Sequence, residues 1–489
     1  MSASAIRHPD RLFIGGAWVE AHSGRYIEIV SPDTEQVVAR VAEADETDMD
    51  RAVAAARKAF DQGPWPWMSP AERVAAMSRF VEALRKREPE LAAVWTQQMG
   101  GLAVMAPYLT GRGTQNLQEA IELGGTFPFI SKVESKAAAA AYVVHEPVGV
   151  VAAIAPWNVP YMIMAAKLAP ALLSGSTVIM KPSPETPLEA YIIAECAEEA
   201  DLPPGVINLV PGHREAADHL VCNPGVDKVS FTGSTLAGKR IGSVCGSRIA
   251  RCTLELGGKS AAVILDDFSA EETAKVLAGA ITLVSGQVCA MLTRAIVPRH
   301  RHDEIADAIA AAMKQVKVGH SDDASVNMGP LAMQRQLERV EGYIEKGRTE
   351  GADLVTGGTR PAHLNRGYFF EPTLFANVNN DMTIAREEIF GPVLSLIPCD
   401  DLDDAIRIAN DSNYGLNGSV LTHDADAAWK VARRVRTGNV GQNGMRSDFS
   451  LPFGGYKQSG LGREGGSQGL MHYLETKTIL LDEAPAELA

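Results

Sequence analysis

Between residues 141 and 254 short apolar runs alternate with longer stretches of helical spacing. The runs GVVAAIAP, STVIMKPS, GVINLVPG, KVSFTGS and RCTLELGG have the length of strands, and helical patterns at 161–173, 186–200, 213–222 and 234–246 separate them. Strand–helix–strand repetition predicts a parallel sheet covered by helices on its faces. Each run ends on Gly, Pro or Ser. In open sheets of this kind ligands sit just there, outside the carboxyl ends of the strands. After Gly258 a second α/β pattern begins: strands are expected in SAAVILDD, LTRAIVPR, GADLVTGG, GYFFEPTLFANV, PVLSLIPCD and GSVLTHD, and helices over about 271–284, 301–316, 330–347, 401–410 and 424–436.

Ahead of these two patterns, residues 12–43 read as hairpins around Gly and Ser, followed by an amphipathic helix with Val53, Ala56 and Phe60 on one stripe. One helix is expected over 70–97, with Ser69 and Pro70 as its N-cap and first residue, and another over 106–123. The most apolar segment, VPYMIMAAKLAPALLSGSTVIM, is interrupted by Lys167, Pro170 and Gly175. It predicts a buried helix followed by a strand, not a membrane span. No repeat and no low-complexity linker divides the chain.

Composition narrows the function classes. The 489 residues carry a formal net charge of -14, the wrong sign for gripping a nucleic-acid backbone. The six cysteines, Cys196, Cys222, Cys245, Cys252, Cys289 and Cys399, form no Cys-x-x-Cys pair, and no Cys/His cluster has zinc spacing. A reducing, cytoplasmic setting without a metal is expected, and the start MSASAIRHPDRLFIGG lacks a signal-peptide core.

Candidate chemistry is scattered. Gly233 and Gly238 in FTGSTLAG follow a strand and open a helix, a place for an anionic ligand, but four residues separate them and the usual G-x-G-x-x-G is absent. Ser234 or Thr235 capping that helix explains them equally well. Lys181 lies just past a strand end. Cys289, in SGQVCAM, is either a small buried hydrophobe or a nucleophile. Glu255 stands in the apolar run CTLELGG, where a charge without a role is costly.

Taken in order, APWNVP, MKPSPETP, FTGST, LELGGK, GQVC, EEIFGPV and PFGGYKQSGLGRE resemble the aldehyde dehydrogenase superfamily, and the likeness runs from LFIGGAWV to YLETKT. The resemblance implies an α/β, aldehyde dehydrogenase-like fold. It comprises a Rossmann-like cofactor domain (1–127 and 147–256), a second α/β catalytic domain (257–450) and a small β extension for oligomer formation (128–146 and 470–489). It implies Cys289 as the nucleophile, Glu255 as the general base and Asn158 as the oxyanion donor. Glu475 matches a second carboxylate near Lys167 that assists proton relay.

The cofactor residues it implies follow the strand ends. They are Ile154, Ala155, Pro156 and Trp157 after the first; Lys181, Ser183, Pro184 and Glu185 after the second; and Gly212 after the third. Phe231, Thr232, Gly233 and Ser234 follow the fourth, and Leu256 and Gly257 the fifth. Glu388 and Phe390 come from the EEIFGP stretch. NAD-favouring relatives often carry Glu three residues after this lysine. Here Pro184 stands there and Glu185 follows, so NAD is the expected cofactor with NADP as the alternative.

The implied partners are a small aldehyde and further copies of the chain, as homodimer or homotetramer, with neither nucleic acid nor membrane. A CoA-acylating relative is the main alternative, and Glu255 speaks against it because CoA needs no base for water. Tyr161, Met162, Met164, Leu283, Met291 and the segment NGMRSDFSLPF are candidates to line the substrate path. With Arg446 the one arginine among them, a medium-sized apolar or aromatic aldehyde is expected.

Overall fold

The computed structural model describes residues 6–488, so residues 1–5 of the start considered for a signal peptide, and the last residue of the expected β extension, lie outside the described residues. Two large sheets organise the chain. The first has eight strands in the order Gly460–Leu461, Arg251–Glu255, Lys228–Thr232, Val150–Ile154, Thr177–Lys181, Ile207–Leu209, Leu12–Ile14 and Ala17–Val19. The five inner strands are parallel and the edges antiparallel. Val150–Ile154 and Thr177–Lys181 are buried at every position, as continuous apolar runs require in a sheet covered on both faces.

The order reverses at Val150–Ile154. The chain first lays down strands on one side of it, then returns to place Lys228–Thr232 and Arg251–Glu255 on the other. Such a reversal opens a crevice at the carboxyl ends of the strands. Register decides what stands at its mouth. Ile154 pairs with Lys181 on one side and with Phe231 on the other, and Thr232 pairs with Glu255.

The second sheet has seven strands, ordered Asp353–Thr356, Thr373–Ala376, Val393–Cys399, Leu292–Pro298, Ser260–Ile264, Asn417–Leu421 and Asn439–Gln442, all parallel except the first pair. Only residues 256–259 separate Glu255, the last residue of a strand in one sheet, from Ser260, the first of a strand in the other. A three-stranded antiparallel sheet joins Ile130–Val133, Ala140–Pro147 and Leu474–Leu481, and Tyr26–Val30 pairs with Val37–Ala42.

The helix Pro160–Ser174 runs behind the first sheet and is buried at every residue except Met162. A helix apolar all round has to be buried, and its one cation, Lys167, is correspondingly held by partners described below. Two expected elements differ. The single helix over 70–97 is two, Pro70–Lys86 and Glu88–Met99, because Pro89 supplies no N–H to continue the first and instead opens the second. The helix expected from residue 330 begins at Gln334, after an extended stretch that follows Pro330. Among the described residues no helix is long and apolar enough to cross a membrane.

Candidate active site

A cleft of about 400 Å³ opens at the carboxyl edge of the first sheet, where the second sheet meets it. Pro156, Trp157 and Asn158 come from the turn after Val150–Ile154, and Thr232, Gly233 and Ser234 from the turn after Lys228–Thr232. Glu255, Leu256 and Gly257 lead out of the first sheet. Cys289, Glu388 and Phe390 face them from the second half of the chain.

Cys289 is placed by an unusual turn. Val284, Ser285 and Gly286 have successive φ values of 49, 54 and 74°, a left-handed run in which a β-branched residue is strained. Its neighbours hold it there. Ser285 Oγ donates to the Gly329 carbonyl at 2.8 Å, and Gln287 accepts from the Ala332 N–H at 2.9 Å while donating to the Val284 carbonyl at 3.0 Å. Only glycine fits at 286, since a Cβ would lie 2.3 Å from the Gly391 carbonyl carbon.

The Asn158 amide donates to the Gln287 carbonyl at 2.8 Å, two residues before Cys289, and its own backbone carbonyl accepts from Trp95 at 2.9 Å. One amide hydrogen is thereby fixed and the other remains to donate. Burial, followed by the charges of Glu388 and Glu255, pushes the Cys289 thiol up, while the backbone N–H groups of Ala290 and Cys289 act to lower it.

Glu255 is 3% exposed and neither carboxylate oxygen has a partner. Gly454 leaves room for it, because a Cβ there would lie 2.6 Å from Oε1. Burial, and then the nearby Glu464, raise its pKa well above the ordinary range, with Lys167 and Arg463 opposing. Lys167 donates to Glu464 at 2.6 Å and to Thr232 at 2.7 Å, so this buried cation is paired and hydrogen-bonded.

Glu475 is therefore not the carboxylate beside Lys167. It lies on the strand Leu474–Leu481 and takes a bidentate pair of bonds from Arg251, at 2.7 and 3.0 Å, with both side chains about half exposed. Glu464 holds that place instead. It ends the motif PFGGYKQSGLGRE, and a carboxylate closing that Gly-rich segment was the available signal; in the fold it is buried.

Glu388 accepts from the Gly258 N–H at 3.0 Å, and burial lifts its pKa to about 7. Phe390 has φ 62° and meets Trp157 edge-on, with ring centroids 5.2 Å apart. The arch is clamped from the helix Gln334–Thr349. Gln336 donates to the carbonyls of Ile389 and Phe390 at 3.1 and 2.6 Å, and Arg339 to those of Ile389, at 3.1 Å, and Glu388. Arg335, Gln336, Arg339 and Ile163 also line the cleft, and none was legible in the sequence. A charged amphipathic helix reads as a solvated face until its partner is known.

The remaining cofactor candidates stand around the cleft. Ile154, Ala155 and Phe231 are buried and lead in sequence into residues that line it, and a Cβ on Gly233 would strike the Phe231 ring at 2.5 Å. Lys181 is buried, which lowers its pKa to about 8 against the pull of Glu185. Glu185 accepts from Ser183 Oγ and from Arg335 at 2.6 Å. Burial works to raise its pKa, but these partners bring it below the ordinary value. Pro184 leaves no carboxylate of its own beside Lys181. Gly212 packs against Ala44 and Met49 and is not part of the cleft wall.

These features fit a dinucleotide. Ser234 caps the 14-residue helix Thr235–Arg248, whose first N–H groups face the crevice of a doubly wound sheet with glycine beside it. Among the described residues no group of three or more His, Cys, Asp or Glu is arranged to hold a metal ion. Of the substrate-path candidates, Tyr161, Met164 and Met291 are core residues instead. Each is at most 2% exposed, and Tyr161 is hydrogen-bonded to Thr114 at 3.0 Å.

The model of the aldehyde dehydrogenase family matches residues 18–479. Geranial dehydrogenase of Castellaniella defragrans is 43% identical over 471 residues, 96% of this chain and 98% of that one. Among solved structures, an aldehyde dehydrogenase of Mycobacterium tuberculosis complexed with NAD+ superposes with a TM-score of 0.93 at 42% identity, covering 96% of this chain and 98% of its own. A mutant aldehyde dehydrogenase of Pseudomonas syringae, in complex with NAD+ and octanal, gives 0.94 at 39% identity, covering 98% and 99%.

Two predictions follow from the geometry. In Gly258→Ala the new Cβ would meet the Cys289 carbonyl oxygen at 2.4 Å. The nucleophile must move, and kcat/KM for any substrate of the cleft should fall roughly 10²-fold with the thermal transition retained; wild-type kinetics would show that the contact yields freely. Glu464→Gln removes the like charge beside Glu255. The ascending limb of the pH–rate profile should move to lower pH, whereas Glu475→Gln should leave it in place. Profiles measured from about pH 5 to about pH 10 check both.

Proposed function

Because the chain belongs to the aldehyde dehydrogenase family, we propose that its cleft performs the family reaction with Cys289 as nucleophile, Glu255 as general base and Asn158 as oxyanion donor. The protein is an NAD-dependent aldehyde dehydrogenase, and it oxidises an aldehyde to the carboxylic acid. The observation that carries the assignment of roles is the meeting of a cysteine, a buried unpaired carboxylate and a half-engaged amide in one crevice.

Cys289 gives its proton to water, and the thiolate adds to the carbonyl carbon as the C=O π pair moves to oxygen; the second Asn158 amide hydrogen and the Cys289 backbone N–H take up the charge on the resulting thiohemiacetal oxyanion. The hydride released from this carbon would need an acceptor, which the nicotinamide of a bound NAD would supply. A thioester is left on Cys289. Water cleaves it as Glu255 takes the water's proton, and burial suits Glu255 to this because it lifts the carboxylate toward the pH at which it must act. Lys167 and Glu464 give that proton an onward partner.

Glu388 and Phe390 would hold the nicotinamide end of the cofactor, the start of Thr235–Arg248 the pyrophosphate, and Lys181 the adenosine ribose. With Pro184 in place of a carboxylate and Arg335 neutralising Glu185, the adenosine end tolerates a 2′-phosphate, and NADP serves as a poorer cofactor.

The β extension built from 128–146 and 470–489 joins copies of the chain into a homodimer or homotetramer. The cofactor domain spans 1–127 and 147–256, and the catalytic domain 257–450. Exposed Ile130, Val133 and Leu480 on the three-stranded sheet support this reading of the extension. A reducing cytoplasm suits six cysteines that are all free.

With aldehyde and NAD, and no CoA, purified protein should release carboxylic acid and NADH in equal amounts. Acyl-CoA as the obligatory product would contradict the hydrolytic role of Glu255. Pro184→Glu should lower kcat/KM with NADP by roughly 10-fold, about 1.4 kcal/mol of added repulsion, and leave NAD nearly unchanged. An unmoved NADP-to-NAD ratio would place the 2′-phosphate elsewhere.

A further inference from the structure

Outside the cleft, the fold brings two cysteines together. Cys245 lies in the last turn of the helix Thr235–Arg248, and Cys252 is the second residue of the strand Arg251–Glu255. Between them the chain reverses. The Ala250 N–H donates to the Cys245 carbonyl at 2.9 Å, and Ile249 takes up the turn with φ 58°. The strand thus returns beneath the helix, and both cysteines pack into one apolar layer that includes Val229, Val244 and Leu254. Within it the two thiols are hydrogen-bonded to each other, and both are free.

The pair is asymmetric. Cys245 is fully buried, whereas Cys252 is half-buried and open to a small reagent. The bond from Cys245 lowers the Cys252 thiol below its ordinary value; burial opposes this, and the charge of Lys228 on the neighbouring strand adds to the lowering. Lys228 is itself buried, with a bond to Thr253 Oγ1 at 2.6 Å and the Tyr473 ring 4.6 Å away. Burial brings it down to about 7, against the pull of Cys252. Cys245, which donates the bond, moves up, as burial moves Cys289 up. One accessible sulfur is therefore suited to attack, and its buried neighbour is in place to resolve the product.

We propose that Cys245 and Cys252 form a site of reversible oxidation by hydroperoxides, separate from the cysteine of the cleft. Cys252 gives its proton to water, and the thiolate attacks one peroxide oxygen. The O–O bond breaks, and the oxygen anion released takes up a proton from water. Cys252 is left as the sulfenic acid. The Cys245 sulfur then attacks the Cys252 sulfur and the S–O bond breaks; the departing hydroxide leaves as water with the Cys245 proton. The two sulfurs have given up two electrons, and the peroxide is reduced to an alcohol and water, or to two waters from hydrogen peroxide. Because the thiols are already in hydrogen-bond contact, the link asks for little backbone movement. It fastens the helix that Ser234 caps to the strand that ends on Glu255, and a dithiol reverses it.

The test treats the full-length protein, as wild type, Cys245→Ser and Cys252→Ser, with an equimolar amount of hydrogen peroxide at neutral pH, without cofactor or aldehyde. Free thiols are then alkylated. Trypsin cuts after Arg240, Arg248, Arg251 and Lys259, so the two cysteines fall in separate peptides, 241–248 and 252–259. In the wild type these should be recovered joined by a disulfide, with Cys289 still alkylated, and dithiothreitol should part them. Neither serine variant should give the joined peptide. In Cys245→Ser the sulfenic acid has no resolving thiol, so dimedone should label Cys252; in Cys252→Ser it should not label Cys245. The wild-type result decides the matter if a serine variant does not fold. Both peptides recovered fully alkylated while Cys289 is oxidised, or Cys252 joined to a cysteine other than Cys245, would overturn the proposal.

Discussion

Gly257 and Gly258 carry the chain between the two sheets through a gap that admits no side chain. A Cβ on Gly257 would lie 2.5 Å from a Glu388 oxygen, and one on Gly258 2.4 Å from the Cys289 carbonyl oxygen. The backbone itself is therefore the wall on which the second half of the molecule rests. The Gly258 N–H adds a bond to Glu388. Because Glu255 stands two residues before Gly257 and Ser260 two residues after Gly258, the general base, the glutamate of the cofactor arch and the nucleophile loop are positioned by one short crossing. Strain on either side of it, in the left-handed run before Cys289 and at Phe390, is held by side-chain bonds from Ser285, Gln287, Gln336 and Arg339.

The same packing sets the electrostatics. Burial disfavours the charged forms of Glu255, Glu388 and Cys289 together; the charge of Glu464 adds to it at Glu255, and those of Glu388 and Glu255 add to it at Cys289. A carboxyl whose folded pKa lies above its unfolded value binds its proton more tightly in the folded chain. It costs no stability below the unfolded pKa, and its contribution becomes unfavourable as pH rises through the folded one. Glu255 and Glu388 thus trade stability at higher pH for reactivity. Lys167 is the counterweight, since its contacts to Glu464 and Thr232 place a cation under the site without covering the base.

Much of this was legible in the sequence wherever it depended on local pattern. The apolar runs of the first sheet are continuous because both of its faces are covered, and their ends do form the crevice, with Lys181, Thr232 and Glu255 at one edge. What escaped depended on register and packing at long range. Glu475 and Glu464 lie only eleven residues apart and both follow glycine-rich sequence. Only the pairing of Leu474–Leu481 with Ala140–Pro147 turns the first toward Arg251, and only the antiparallel edge strand Gly460–Leu461 brings the second under Glu255. Arg335, Gln336 and Arg339 gave no signal because their partners are backbone carbonyls and a carboxylate far off in sequence. Tyr161 and Met164 were misplaced because the helix that carries them is buried on all sides, so side-chain character alone could not tell cavity from core.

The central claim is a division of labour in which Cys289 holds the acyl group and Glu255 releases it. Glu255→Gln preserves shape and removes the base. Mixed with NAD and aldehyde, it should form at most one NADH per active site and then nearly stop, and intact mass after acid quenching should show one acyl group, mapped by peptide digestion to Cys289. Continued turnover at the wild-type rate, or an acyl group on another cysteine with Cys289 unmodified, would contradict it.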